Sequence, residues 1–241
     1  MGHVTVVGGC RAKAPSTGIL ASTLPVGSTV KLVEGGTAVD YLVVNQGIPS
    51  NSNLYDSSCN GTWLLRKDIH SGRKWNTSDV NKYETSTINT WLNGEYFSSL
   101  GAVEQTTVKQ VKIPYRKNGG SGGTDQSGAN GLSCKGFLLG GYEIGWTTSD
   151  SPYFPVDGAK LSYFEAGTGS SAMNKRIAYL NGSAAYWWLR SPDSRDPYYV
   201  WHVGTNGGYY GNLASNSYGI RPALVLPSNA KFDSTTLILK G

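Results

Sequence analysis

Residues 187–226 read WWLRSPDSRDPYYVWHVGTNGGYYGNLASNSYGIRPALVL, and this stretch decides the fold. Bulky apolar residues open and close it, Trp187 to Leu189 at one end and Ile220 to Leu226 at the other. Between them, Asp193–Tyr218 is crowded with Tyr, Asn, Ser, Gly and Asp. Successive strand residues point to opposite faces of a sheet. Val200, Val203 and one or both of Trp187 and Trp188 are therefore expected inward, with alternate tyrosines outward. Tyr198, Tyr199, Trp201, Tyr209 and Tyr210 cannot all be core, because Gly204, Gly207, Gly208 and Gly211 interrupt them. Tyr and Trp give large contact area at low entropy cost, and Asn and Ser give adaptable hydrogen bonds, which is the composition of a paratope. The plainer alternative is a Tyr-rich strand pair packed on the tryptophans; a binding face is the favoured reading.

The rest of the chain agrees with a loop-rich β globule. Glycine takes 32 of 241 positions, and charged residues only 15%, against roughly 25% in an ordinary soluble domain. Aromatics reach 11%, with 15 Tyr and 7 Trp, which a disordered chain lacks. The net charge of +5 is spread over isolated pairs such as Arg66-Lys67 and Arg116-Lys117. Nucleic-acid binding wants a dense basic stripe, so no nucleic-acid partner is expected. No run of 18 apolar residues exists, so no membrane insertion is expected. Cys10, Cys59 and Cys134 are far apart and form no metal-ligand cluster. Neither a metal nor another cofactor is expected.

Residues 1–23 read as a lead-in and linker, with one short strand over Val4–Val7, and residues 24–241 as one domain. Thr29–Val33 and Ala38–Asn45 flank Glu34-Gly35-Gly36-Thr37, which predicts a hairpin. Thr62–Leu65 predicts a further strand. Two helices are expected. The first is capped by Thr77, Ser78 or Asp79, carries Val80, Tyr83, Ile88, Trp91 and Leu92 on one face with Phe97 continuing the spacing, and ends at Asn93-Gly94, with Tyr96–Leu100 as another turn. The second covers Glu104–Val111 and stops near Pro114. Asn118–Gly131 has six glycines in fourteen positions and predicts a mobile surface loop. The short apolar runs downstream, each bounded by Gly, Pro, Asn or Ser, predict an α+β fold with many short strands and long ordered loops.

Enzymatic signatures are weak. Gly167–Ala172 mimics a GxGxxA nucleotide loop, but no carboxylate follows at the required distance. A hydrolase site would use His202 with Asp193 or Asp196 and one of many serines. No arrangement of carboxylates suggests glycoside cleavage, and the protein is read as no enzyme.

The motifs WWLRSP (187–192), Val200–Gly204 and YGIRPALVL (218–226) resemble a C-terminal domain common in gut bacteria and their prophages, related to the C-type-lectin-like fold shared with formylglycine-generating enzymes. GSTVKL (27–32), YLVVNQGIPS (41–50), YDSSCNGTWLLRKDI (55–69) and VKIPYRKNG (111–119) are similar to the same family, so the resemblance covers about residues 24–227. Its members include variable proteins of diversity-generating retroelements, whose reverse transcriptase rewrites adenine positions late in the gene. The resemblance implies a framework of Trp187, Trp188, Leu189, Arg190, Gly204, Gly219, Arg221, Pro222 and Ala223, with Arg190 and Arg221 anchoring the fold through buried hydrogen bonds. It implies a variable ligand-binding surface among Asp193, Ser194, Asp196, Tyr198, Tyr199, Trp201, His202, Asn206, Tyr209, Tyr210, Asn212, Ala214 and Asn216. Most of these are types reachable from an adenine-mutated Asn codon; Trp201 is not. The lectin calcium triplets are missing, as is the cysteine pair of the formylglycine enzymes, since the last cysteine is Cys134.

The implied function is recognition of a protein or glycan at a cell surface by a phage tail or bacterial surface protein. The alternative is a static structural or adhesive module of such an assembly, a homo-oligomer that buries the Tyr-rich face.

Overall fold

The structure, a computed structural model, describes residues 18–241. It is a mixed, sheet-rich α+β fold with a few short helices. Two sheets form its centre, and their nine strands are numbered here in chain order. The first sheet holds β1 (Thr29–Glu34), β2 (Thr37–Gln46) and β3 (Thr62–Arg66), joined by the late strand β9 (Ala223–Leu226) in the order β9-β3-β2-β1, all antiparallel. The second holds β4 (Gly72–Lys74), β5 (Trp187–Pro192), β6 (Tyr199–Val203), β7 (Tyr209–Leu213) and β8 (Ser217–Gly219) in the order β7-β6-β5-β8-β4.

The expected hairpin is β1–β2. Gly35 and Gly36 both sit at positive φ, +53° and +80°, as a two-residue turn matching the strand twist demands. Its neighbours β3 and β9 are buried apart from half-exposed Arg66, which explains their continuous apolar runs. Residues 18–23 are not linker. Gly18–Leu20 pairs with Lys231–Asp233, and Ala21 is fully buried, so the folded domain begins earlier than position 24. The strand expected at Val4–Val7 lies outside the described residues.

The first helix departs from expectation. Its N-cap is Ser86, whose Oγ accepts the Asn89 N–H at 3.2 Å, and Thr87–Trp91 follows. Residues 77–82 stay irregular because the Asn76 side chain takes their place in the hydrogen bonding. Its Oδ1 accepts from the Thr77 and Thr87 N–H groups, and its Nδ2 donates to Val80 O. Val80 is consequently exposed. Asn93-Gly94 does not end the helix; Leu92–Tyr96 continues as a π turn into Phe97–Ser99. The Asn93 side chain is held outside, bonding Asn89 O, Gly136 O and the N–H groups of Lys135 and Gly136. The second helix is Ala102–Thr107, and Val111–Ile113 is instead a strand. A further short helix, Ser170–Asn174, was not expected. Asn118–Gly131 is not a free loop, since Tyr115–Lys117 and Thr124–Gln126 form a hairpin within and beside it.

Residues 136–165 carry Phe137, Leu138, Leu139, Ile144, Trp146, Phe154, Leu161 and Phe164 into the core, yet almost none of this segment is regular. Buried backbone groups must find partners, and here side chains supply them. Arg190 is the main one. Its Nε donates to Pro114 O at 2.9 Å and its Nη1 to Leu138 O at 2.8 Å. It also grips the Glu143 carboxylate at 2.6 and 2.7 Å, and its last donor meets Asp157 O. Both side chains of the pair are fully buried. Glu143 accepts in addition from the Gly140 N–H and the Tyr55 hydroxyl. Arg176 performs a similar task, donating to Ile144 O, Glu165 O and Gly167 O.

Breaking a buried pair by removing one partner leaves a desolvated, uncompensated charge, which costs about 3–5 kcal/mol. Glu143→Gln and Arg190→Met are each expected to lose that much in guanidinium unfolding. The double variant should lose less than the sum, since neither stranded charge remains.

Candidate functional site

The register of β5, β6 and β7 sorts the Tyr-rich segment into two faces. Trp187, Val203 and Tyr209 stand opposite one another, as do Trp188, His202 and Tyr210 one residue along. Trp201 and Tyr199 therefore share the first face with Gly211 and Leu213, while Val200 and Asn212 share the second. The tyrosines do not form one surface, because neighbouring positions in a strand point opposite ways.

On the first face, Trp201 packs against Phe154 with ring centroids 4.5 Å apart, and Tyr209 lies edge-on to Trp146 and Phe154 at 5.5 Å. Tyr209 donates its hydroxyl to Asp150 O at 2.6 Å. Trp201 is 6% exposed, so it supports the face and does not present itself to a ligand. Beyond it, Tyr199 is solvent-exposed, and a Cβ on Gly211 of the edge strand β7 would meet the Tyr199 and Trp201 rings at ordinary contact distance, 3.8–4.0 Å.

On the second face, His202 is the hub of an aromatic cluster. Tyr218 lies at 4.5 Å, Tyr186 at 5.4 Å, Trp188 at 5.5 Å and Tyr210, stacked, at 5.8 Å. Asn212 donates to the Tyr218 hydroxyl at 2.6 Å, and Asn216 donates to Asn212 Oδ1 at 2.5 Å. Tyr186 and Tyr210 remain 42% and 46% exposed, so the cluster is a platform with open aromatic edges. His202 itself is buried and its Nδ1 has no partner. Burial pushes its pKa down to about 4, which leaves the imidazole neutral near pH 7.

The loop joining β5 to β6 completes the site. Asp193 is buried and held by Arg195, whose Nη2 donates at 2.9 Å. The Arg195 guanidinium lies 3.9 Å over the Tyr153 ring. Asp196 Oδ1 accepts from the N–H groups of Tyr198 and Tyr199 at 2.6 and 2.9 Å, which turns both tyrosines outward. Tyr198 is half exposed. Ser194 and Asn216 are partly exposed, and Asn206 at the β6–β7 turn is exposed. Asn206 accepts the Gly208 N–H and donates to the Tyr210 hydroxyl. Ala214 is fully buried, its N–H on Tyr198 O and its carbonyl on the Asn76 N–H. Of the sequence-predicted surface, Asp193, Trp201, His202 and Ala214 are thus interior supports. Ser194, Asp196, Tyr198, Tyr199, Asn206, Tyr209, Tyr210, Asn212 and Asn216 retain exposure.

Sequence reasoning missed the residues that hold this surface from outside the segment. Asn81 donates to Asp196 O at 2.7 Å and Tyr199 O at 2.8 Å, and accepts the Gly120 N–H at 2.9 Å. A Cβ on Gly120 would sit 1.9 Å from Asp193 O, so the glycine-rich stretch is a close-packed buttress. Asp79 accepts the Ser215 N–H. Tyr186 and Tyr218 flank the framework motifs, and only their alternation with Trp188 hinted at the platform.

The residues named for a hydrolase site are engaged separately. The ring neighbours of His202 are aromatic, while Asp193 is engaged by Arg195 and Asp196 by backbone N–H groups. Gly119–Gly123 spells GxSxG, but it occupies a hairpin turn and not the strand-to-helix elbow that exposes a nucleophile. Among the described residues no group of three or more His, Cys, Asp or Glu side chains gathers to hold a metal. Cys59 and Cys134 are buried free thiols, and burial pushes Cys59 up to about 12.

A family profile described as "Domain of unknown function (DUF6273)" matches residues 60–228. That span holds both helices, β3 to β9 and the entire aromatic face. The chain belongs to this family. No curated protein and no solved structure matches it. The DUF6273 span ends just past β9, so the family unit contains the motifs of 187–226 complete.

Because the folded imidazole resists protonation, acid should act on the His202 cluster. An unfolded histidine titrates near 6.5, so stability is full above that pH and falls as pH drops toward 4. Measured by guanidinium unfolding between pH 7 and 4, the wild type should lose about 3 kcal/mol relative to His202→Gln. Parallel curves for the two proteins would show that His202 is freely hydrated.

Proposed function

We propose that this chain is a non-enzymatic binding module of C-type-lectin-like fold, akin to the variable proteins of diversity-generating retroelements. It recognises a protein or glycan on a cell surface, as part of a phage tail or of a bacterial surface protein. The observation that carries the reading is the contrast within one sheet. Tyr186, Tyr198, Tyr199 and Tyr210 are 40–50% exposed, while the residues beneath them, Trp187, Trp188, Trp201, Val200 and Val203, are buried and closely packed. Large apolar area left open on a rigid support is characteristic of recognition surfaces. The rims carry amides and hydroxyls from Ser194, Asn206, Asn212 and Asn216, which supply directional contacts around the aromatic anchors.

A second reading rests on the sheet edge. Strand β7, Tyr-Tyr-Gly-Asn-Leu, has no charged residue and no proline, and among the described residues it pairs only with β6. Natural edge strands are commonly guarded by such residues, so this edge also suits a static module that packs against another subunit.

One set of variants separates the readings. Tyr198→Ala, Tyr199→Ala and Tyr210→Ala combined should abolish binding to whichever immobilised glycan or intact bacterial cell the wild type binds. The melting temperature should move little, since surface truncations cost within about 0.5 kcal/mol each. Trp201→Ala, by contrast, should cost about 3–5 kcal/mol. Unfolding of the tyrosine variant would make those residues core and end the recognition reading. A concentration-dependent oligomer in sedimentation that the tyrosine variant dissolves would favour the static module.

A further inference from the structure

Three buried arginines brace this fold, and two of them, Arg176 and Arg221, hydrogen-bond no carboxylate. Arg190 has the Glu143 carboxylate and a partner for every donor. Arg176 donates to three carbonyls and lies 4.5 Å over Trp146. Arg221, only 3% exposed, donates from Nε to Arg66 O at 3.1 Å and from Nη2 to Lys67 O at 3.0 Å, and sits 4.7 Å over Trp187. Its Nη1 is sealed from solvent and has no partner among the described residues, and no carboxylate among them bonds the guanidinium. A guanidinium does not shed its proton in a protein, and burying a charge is costly unless it is paired.

Arg221 forms part of the wall of a cavity of about 150 Å³, together with Lys67, Asp68, Tyr163, Asn174, Lys175 and Tyr179. The wall carries three cations against one carboxylate. The lysines are held by exposed pairs, Lys175 with Glu165 at 2.9 Å and Lys67 with Asp40 at 3.7 Å, and Lys175 also lies 5.3 Å over the Tyr163 ring. Asp40 is already bound more closely by Lys31, at 2.6 Å. Exposed pairs of this kind are worth about 0–1 kcal/mol, so both lysines are free to turn toward an anion. Asn174 and the two tyrosines add neutral donors. The cavity shares no residue with the 193–216 surface, and it lies where the Tyr179–Leu180 strand meets Ile69.

We propose that this cavity is a second binding site, specific for a compact oxyanion (a carboxylate, sulfate or phosphate group) that neutralises Arg221. Its volume is below the roughly 300 Å³ of pockets that enclose a whole drug-sized ligand. It therefore holds either a free small ion or the acidic end of a larger molecule.

The test is calorimetric titration of the wild-type chain with acetate, sulfate and glucuronate, at ionic strength held constant with chloride. Saturable binding of acetate or sulfate is expected, weakened at least tenfold in Lys67→Met/Lys175→Met and unchanged in Lys117→Met, a lysine on the distant 115–126 hairpin. Both lysine variants keep Arg221, so loss of folding does not confound the result. Binding of acetate and sulfate without glucuronate assigns a free ion, and glucuronate binding with the same lysine dependence assigns an acidic end group. Wild-type binding no tighter than chloride, or a double variant that binds as the wild type does, would overturn the proposal.

Discussion

The Arg190–Glu143 pair is the interaction on which the rest depends. A globule with so much glycine and so little regular structure must bury irregular backbone, and irregular backbone has no ladder to satisfy its polar groups. Arg190 meets that demand from within β5. Its five donors fasten Pro114, Leu138, Glu143 and Asp157 to the strand that also carries Trp187 and Trp188. The neighbouring Ser191 extends the network, donating to Asp157 at 2.5 Å and accepting the Gly141 N–H at 2.8 Å. The motif WWLRSP is thus a unit: tryptophans fill the core between layers, and Arg-Ser stitches the 136–160 segment onto the sheet.

That stitching explains how one short segment can carry both fully buried and exposed aromatic residues. Residues 136–165 put Trp146 and Phe154 behind Trp201 and Tyr209, and the Asn81–Gly120 buttress fixes the loop that leads into β6. With the backbone held from behind and from the side, the outward rings of Tyr198 and Tyr199 carry little of the packing, whereas Asp196, Asn206, Asn212 and Asn216 still bond neighbouring groups. Tyr198, Tyr199 and Tyr210 can change without disturbing what lies beneath them. Trp201 and His202, two and three positions beyond Tyr199, cannot.

Much of this was legible in the sequence. The β1–β2 hairpin followed from Gly35-Gly36 between β-branched runs, and the inward positions Trp187, Trp188, Val200 and Val203 followed from composition around the glycines. The buried roles of Arg190 and Arg221 were implied by the family resemblance. The illegible part was long-range. Nothing local announces that Asn76 will replace a helix cap, that Asn93-Gly94 will continue a helix through a π turn, or that Gly120 will lie against Asp193. Each depends on a partner distant in sequence. Burial of Trp201 and His202 was hidden for the same reason: strand alternation assigns a face, but what covers that face is decided by Phe154 and Tyr186.

The central claim is that the sheet separates a fixed interior from a changeable surface, and population sequencing of this coding region tests it most directly. The account predicts substitutions concentrated at adenine-bearing codons for exposed and partly exposed positions, Ser194, Tyr198, Tyr199, Asn206, Tyr210, Asn212 and Asn216 among them. Codons for Trp187–Pro192 and Gly219–Ala223 should stay silent. Substitutions spread evenly through the segment, or falling on the framework as often as on the surface, would contradict it.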